Sequence, residues 1–446
     1  MSRPTFVSGL VAPASVASPS DAVAPIPASP GRRPHTSHAS SLRLAALAVA
    51  VVAAVSAGGC VKTVRAPLKQ ALPSVLGPEA ATPLCYGPAA TIDVGGAAVA
   101  GTVADIDGDG RADLALMVNG SGGHSVTFAI NDGNGGLRLT TGLKFPMTPT
   151  AIEAADFNAD GLLDLAIAAT PAAGSRDDAA VHVLLGRGQG QFIAGAVATR
   201  VQPAGLWIAD FSGDGAPDLL VLAAGGKEVE LLIGDGRGEF KSGPRSGLPG
   251  EVHPEGLTVG DFDLDKRLDL ATLVDRGGKA EATVAISRGD GTGNFKLAAR
   301  RVVGRHGRAL VAADFNSDGA ADLAALADGA SDGATSPIAA MLLGDGNLGF
   351  SAISYFGPDL VADVVVADLD RNGFADLLAS SQRGDAVRAL LGDGRGGFGP
   401  VISIPVGAVG HNARAADLDG DGRHELLSFG PQAPGVAVSR PQPCRK

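Results

Sequence analysis

The sequence predicts an all-β fold, a seven-bladed β-propeller of four-stranded antiparallel blades, and three observations predict it. A nine-residue acidic stretch recurs seven times, its first aspartates 51, 54, 51, 53, 54 and 49 residues apart. A period near fifty that fills a chain marks a propeller or a solenoid. Between the copies the apolar residues follow a period of two or form short buried-type runs, and few segments have a helical period, which argues against an α-solenoid. Finally, Tyr86-Gly-Pro-Ala-Ala-Thr-Ile-Asp-Val-Gly95 matches Phe398-Gly-Pro-Val-Ile-Ser-Ile-Pro-Val-Gly407 at a constant offset. Residues 86–95 therefore form a fourth strand with no first three before it, while the last repeat stops after its third strand near 436–439. The N-terminal strand is expected to complete the last blade and close the ring.

Each element of a repeat has its own signal. An apolar strand precedes the loop (206–209, 257–260, 310–313), and a run beginning Asp-Leu follows it, such as Asp113-Leu-Ala-Leu-Met-Val118. A third strand (229–233, 341–343, 389–391) leads to a Gly-Asp-Gly-x-Gly-x-Phe turn at 234–240, 289–295 and 392–398, where glycine supplies the positive φ of a tight hairpin. The fourth strand leaves from the phenylalanine. The residue before each loop is small throughout (Ala104, Ala155, Ala209, Gly260, Ala313, Ala367, Ala416), as a crowded innermost strand requires. Phe157, Phe211, Phe262 and Phe315 inside the loops, and Phe192, Phe240, Phe295, Phe350 and Phe398 at the turns, are read as core.

The loops place oxygen donors at positions 1, 3, 5 and 9. The candidate ligands are Asp105, Asp107, Asp109 and Asp113; Asp156, Asn158, Asp160 and Asp164; Asp210, Ser212, Asp214 and Asp218; Asp261, Asp263, Asp265 and Asp269; Asp314, Asn316, Asp318 and Asp322; Asp368, Asp370, Asn372 and Asp376; and Asp417, Asp419, Asp421 and Glu425. Alternate positions on a tight turn aim side chains at one point, and an all-oxygen set suits a hard cation, Ca²⁺ rather than Mg²⁺ or Zn²⁺, in up to seven sites. An EF-hand is disfavoured because position 12 of the first copy is Leu116. The competing reading is an Asx-turn that binds nothing; seven copies in register, acidic at position 9 every time, weigh against it. Lys266 stands where the other loops have glycine, at a cost of about 1 kcal/mol in left-handed backbone, so the fourth site is expected to be the weakest.

Residues 1–43 are rich in Pro, Ser and Ala and are expected to be disordered. Arg32, Arg33 and Arg43 precede an apolar run at 44–55 and then Ser-Ala-Gly-Gly-Cys60, the pattern of an export signal. It resembles a bacterial lipoprotein signal, which implies a leader over 1–59, lipidation of Cys60 and a tether over 60–84; Val61 points to the outer membrane, at its periplasmic or outer surface. The alternative is an uncleaved anchor, for which the run is short. Cys85 and Cys444 fall at the two cut ends of one hairpin turn of the propeller, residues 85–446. Export favours a disulfide between them over two free thiols.

The chain carries a net charge of −11, residues 1–59 contribute +3 (Arg3, Arg32, Arg33 and Arg43 against Asp21), and the loops hold 24 of the 47 acidic residues. Metal loops therefore account for the acidity, and nucleic acid, which wants a basic stripe, is excluded as a partner. One Trp and two Tyr offer few stacking platforms for a lectin with a sugar site in every blade. His124, His182, His253, His306, His411 and His424 are scattered and no HExxH occurs, so no enzymatic activity is expected.

The repeats, V-A-D-F-N-x-D-G-x-x-D-L followed by L-L-G-D-G-x-G-x-F, resemble the FG-GAP/VCBS family over residues 86 to about 440, and the loops are similar to those of the integrin α-subunit propeller. The resemblance implies calcium in the first hairpin of each blade and partners on the opposite face. There the most individual stretch is Arg300-Arg301-Val-Val-Gly-Arg305-His-Gly-Arg308, read as a loop for an anionic glycan or an acidic protein, or as a merely solvated one. Thr102, Glu153, Trp207, Thr258, Val311, Val365 and Arg414 form a variable ring near the axis. The expected function is a calcium-stabilised, membrane-anchored, monomeric scaffold for adhesion or recognition of a protein or polysaccharide. A calcium-dependent lectin is the alternative, and a propeller-bearing hydrolase or lyase a further one.

Overall fold

Each acidic loop turns the chain back between two antiparallel strands, and the second strand begins on the loop's ninth residue. The computed structural model describes residues 52–55, 61–64 and 84–444, apart from 141, 146, 172–179, 275–280, 329–336, 357–360, 382–385, 407–411 and 432–434. Among them the only helical element is one 3-10 turn, Pro254–Gly256. The expectations for residues 1–51 and for Cys60 lie outside the described residues. Strands Val52–Val55 and Val61–Val64 pair with each other, and Ala53 pairs with Ala154. No described helix is long and apolar enough to cross a membrane.

The repeats fold as antiparallel sheets in chain order. The first contains Ala97–Ala104, Asp113–Gly120, Gly123–Asn131 and Leu137–Leu139, with Leu143–Phe145 also on the third strand. The second runs Thr148–Ala155, Asp164–Thr170, Ala180–Gly186, Phe192–Ala198, and the third Pro203–Ala209, Asp218–Ala223, Glu228–Gly234, Phe240–Gly247. The next two repeats share one seven-stranded sheet, because the 19-residue strand Phe295–Ala313 is the outer strand of one and the inner strand of the next. The pairing slips between Arg305 and Ala309, and His306 sits at φ 48°. This corrects the reading of Arg300–Arg308 as a loop: Arg300 and Arg301 pair with Ala285 and Val284 and are exposed on an outer strand. The sixth repeat's sheet contains Val361–Ala367, Asp376–Ser381, Ala386–Leu390 and Ile402–Pro405.

The last repeat supplies only Asn412–Ala416, Glu425–Phe429 and Gly435–Ser439, and Ala90–Asp93 completes it by pairing with Gly435–Ser439. Cys85 and Cys444 are disulfide-bonded beside that pairing, with Cα atoms 5.3 Å apart. Gly87 N–H donates to the Arg440 carbonyl (2.9 Å) and Gln442 N–H to the Cys85 carbonyl (2.8 Å). This last sheet packs on the first through Leu427, Phe429, Leu114 and Leu116, and Asn412 Nδ2 and Asn131 Nδ2 donate across to the Val99 and Leu418 carbonyls.

Neighbouring sheets meet along a phenylalanine seam. The loop residues Phe157, Phe211, Phe262 and Phe315 are buried, and each meets the turn phenylalanine of the next repeat edge to face: Phe240, Phe295, Phe350 and Phe398, at centroid distances of 5.3–6.2 Å. Such pairs contribute about 0.5–1.5 kcal/mol beyond area burial. Backbone bonds reinforce the seam, Gly238 N–H to the Phe157 carbonyl and Gly396 N–H to that of Phe315, both 3.0 Å. The turn phenylalanines are thus half-buried seam residues rather than deep core. The first loop has Ile106 instead, and Phe192 stacks on Phe128.

The ring of variable residues is buried throughout, Trp207 included. Arg414 lies against Asp363 (3.0 Å) with both side chains buried, and its guanidinium is 5.6 Å from the Phe429 ring centre. Burial, opposed by Arg414, pushes the Glu153 carboxyl well above its usual range.

Candidate metal centres

The loop backbone is as tight as the sequence requires. Position 6 is left-handed in every copy, from Lys266 at φ 69° to Gly215 at 88°. Position 4 is left-handed as well, and in four loops it is not glycine: Ala159, Leu264, Ser317 and Arg371 lie at φ 57–65°. No side-chain signal announced this, and each costs about 1–2 kcal/mol. Part of the compensation is visible in the first loop, where both oxygens of Asp105 accept backbone N–H groups, from Gly108 (2.9 Å), Asp109 (3.0 Å) and Gly110 (2.8 Å).

Position 9 holds the loop to the sheet. Asp322 Oδ2 accepts Phe315 N–H (2.8 Å) and Oδ1 accepts Gly344 N–H at the end of the third strand (2.7 Å). Asp113, Asp164, Asp218, Asp269 and Asp376 repeat the pattern, each completely buried, and Glu425 accepts Leu418 N–H (2.7 Å). This residue was read as a ligand alone; it is also a structural clamp, and a carboxylate has lone pairs for both tasks. Burial, against these hydrogen bonds, pushes Asp269, Asp322 and Asp376 up to about 7 and Asp164 to about 6.

Ca²⁺ takes oxygens at about 2.3–2.6 Å, so ligands across a site lie up to about 5 Å apart. Three loops meet that test with positions 1, 3 and 9: in Asp105, Asp107 and Asp113, in Asp368, Asp370 and Asp376, and in Asp417, Asp419 and Glu425, one oxygen from each lies within 4.8 Å of the others. In the sixth loop Asp368 Oδ1 is buried without a hydrogen bond, an acceptor suited to a cation. Position 5 stands apart in these groups, with Asp109 turned to Arg111, Asp421 to Arg423 (2.5 Å) and Asn372 donating to Asp370 (3.2 Å).

The other loops differ. In the second, third and fifth, an amide or hydroxyl fills position 3. Asn158 and Asn316 accept N–H groups of Asp160 (2.9 Å) and Asp318 (3.0 Å), Ser212 N–H donates to Asp218, and no three carboxylates gather there among the described residues. Asp156, Asp210 and Asp314 accept the N–H groups of Gly161, Gly215 and Gly319, while Asp214 and Asp318 accept those of Ala216 and Ala320. In the fourth loop the gathered oxygens belong to Asp261, Asp263 and Asp265, without Asp269.

Four-stranded antiparallel sheets, repeated along the chain and each opened by an acidic hairpin loop, define a β-propeller whose loops could hold metal ions. The chain carries FG-GAP-like repeats: the model of that repeat matches residues 105–167, 210–272 and 368–428, which include every loop except the fifth. Comparison with curated protein sequences gives no significant match. Among solved structures, a lectin of Agrocybe aegerita that recognises non-reducing terminal N-acetylglucosamine is 16% identical over 89% of this chain and 96% of its own, with a TM-score of 0.46. BBS1N, solved in complex with ARL6DN, is 14% identical over 80% of this chain and 97% of its own, with a TM-score of 0.53. The second likeness is one of fold.

Proposed function

We propose that the chain is a calcium-stabilised recognition scaffold, a closed ring of seven blades tethered outside the cytoplasm by lipid on Cys60. Splitting the shared sheet within Phe295–Ala313 yields seven four-stranded units, and the junction of Ala90–Asp93 with Gly435–Ser439 supports closure. The observation that carries the calcium reading is the gathering of positions 1, 3 and 9 in the first, sixth and seventh loops. There the ion supplies positive charge to buried carboxylates, and the loop residues orient the oxygens around it. FG-GAP repeats mark a binding scaffold, and the scattered histidines favour binding over catalysis.

The partner is a protein or polysaccharide on the side away from the acidic loops, met by a monomer. Export and the disulfide go together, since such links persist in oxidising compartments. The test is thermal melting with and without chelator, followed by a screen of glycans and surface proteins under the same two conditions. The proposal expects melting to fall in chelator and binding to fall with it; a melting temperature that chelator leaves unmoved would remove the calcium reading.

A further inference from the structure

Resting on the calcium reading of the other loops, the geometry points to an exception: we infer that the fourth loop is closed by the guanidinium of Arg288 in place of a divalent ion. Arg288 lies on strand Glu281–Gly289, one residue before the N–H that Asp269 accepts. Counting back from the same N–H places Ile130, Leu185, Ile233, Leu343 and Leu391 at this position in five other repeats. In the seventh, strand register places Arg440 there, but its guanidinium donates to the Gly135 carbonyl of the first repeat. Only in the fourth repeat does a cation at this position reach its own loop.

Arg288 Nε is 2.6 Å from Asp263 Oδ2 and Nη2 is 2.8 Å from Asp265 Oδ2, so one planar fork spans positions 3 and 5. Forked contacts of this kind are what guanidinium geometry favours. Arg267 adds a second cation 3.7 Å from Asp265, and Lys266 a third charge on the loop itself. Asp263 and Asp265 thus face two cations of the chain's own, and a third, Lys266, lies on the same loop. A divalent ion would have to displace the fork and meet the charges of Arg288 and Arg267. Lys266 keeps the left-handed backbone of the glycine copies, and its N–H donates to Asp261 (2.9 Å) as theirs do to position 1.

The test uses the full chain, CaCl₂ as probe, and native mass spectrometry to count bound ions. Asp263→Asn is expected to leave the count unchanged, whereas Asp107→Asn in the first loop lowers it by one. Arg288→Leu, the residue type of the sister repeats, is expected to melt several degrees below the native chain in EDTA, and R288L combined with K266G to bind one ion more than the native chain. A lower count in D263N, an unchanged count in the double variant, or native melting of R288L in EDTA would each overturn the inference. A native chain that binds no calcium would overturn the reading of the other loops instead, and R288L in EDTA would still decide this one.

Discussion

Replacing Cys85 and Cys444 together by serine removes the covalent link between the strand Ala90–Asp93 and the sheet it completes. The bridge closes a separation of 359 residues, for which the chain-entropy model gives a stabilisation of about 6 kcal/mol. Almost all of it acts on the unfolded chain, because the folded junction keeps the bonds of Gly87 to Arg440 and of Gln442 to Cys85. At about 2.1 cal/mol/K per residue, the unfolding entropy of a domain this size converts that loss to roughly 8 °C in Tm. Differential scanning calorimetry of the double variant, beside the native chain with and without reductant, measures it. The reduced native chain should melt with the variant. A variant within about 1 °C of the oxidised protein would show that the bridge does not restrain the unfolded ensemble, and the reasoning would fail.

The remaining predictions concern the loops and the seam. Asp322 and Asp376 carry pKa values raised to about 7, so in chelator the stability each contributes is complete below its ordinary pKa near 3.8 and disappears as pH rises through 7. Calcium needs the ionised oxygens, so the gap between melting curves with and without calcium should widen from pH 5 to pH 8; a constant gap would refute this. Arg414→Ala removes the ion-pair partner of the buried Asp363 carboxylate and should cost about 3–5 kcal/mol in urea unfolding, whereas replacing both partners by apolar residues should cost much less. Phe315→Ala, at 2% exposure and 5.8 Å from Phe398, should cost about 3–5 kcal/mol, and Phe398→Ala less, which the same unfolding curves decide.

Features that depend on spacing were legible in the sequence. The interval between loops implied one four-stranded unit per repeat, although the fourth and fifth share a sheet, and the match of 86–95 to 398–407 anticipated the pairing of Ala90–Asp93 with Gly435–Ser439. Glycine at position 6 announced a left-handed turn because few other residues adopt one cheaply. What depends on register was hidden. Arg288 lies far along the chain from Asp263, and only the pairing of the third strand brings them together. The second duty of position 9 was invisible for the same reason, its partner Gly344 lying on another strand. The basic stretch looked like a loop because glycines and arginines interrupt it, yet Arg300, Arg301, Val302, Gly304 and Arg305 pair with strand Glu281–Gly289 and Arg305 also with Asp328, which leaves the slip at 306–308 unpaired.

On the proposed closed ring, the two ends of the repeat region meet in one sheet, and the order of the blades becomes a matter of convention. With the Cα atoms of Cys85 and Cys444 only 5.3 Å apart, a short peptide could join them, and the chain could be reopened in any of the glycine hairpins. Circular permutants cut at the turn after Gly234 or after Gly289 would begin with a different repeat and still assemble every sheet, each needing its own new fastening where the ends now fall.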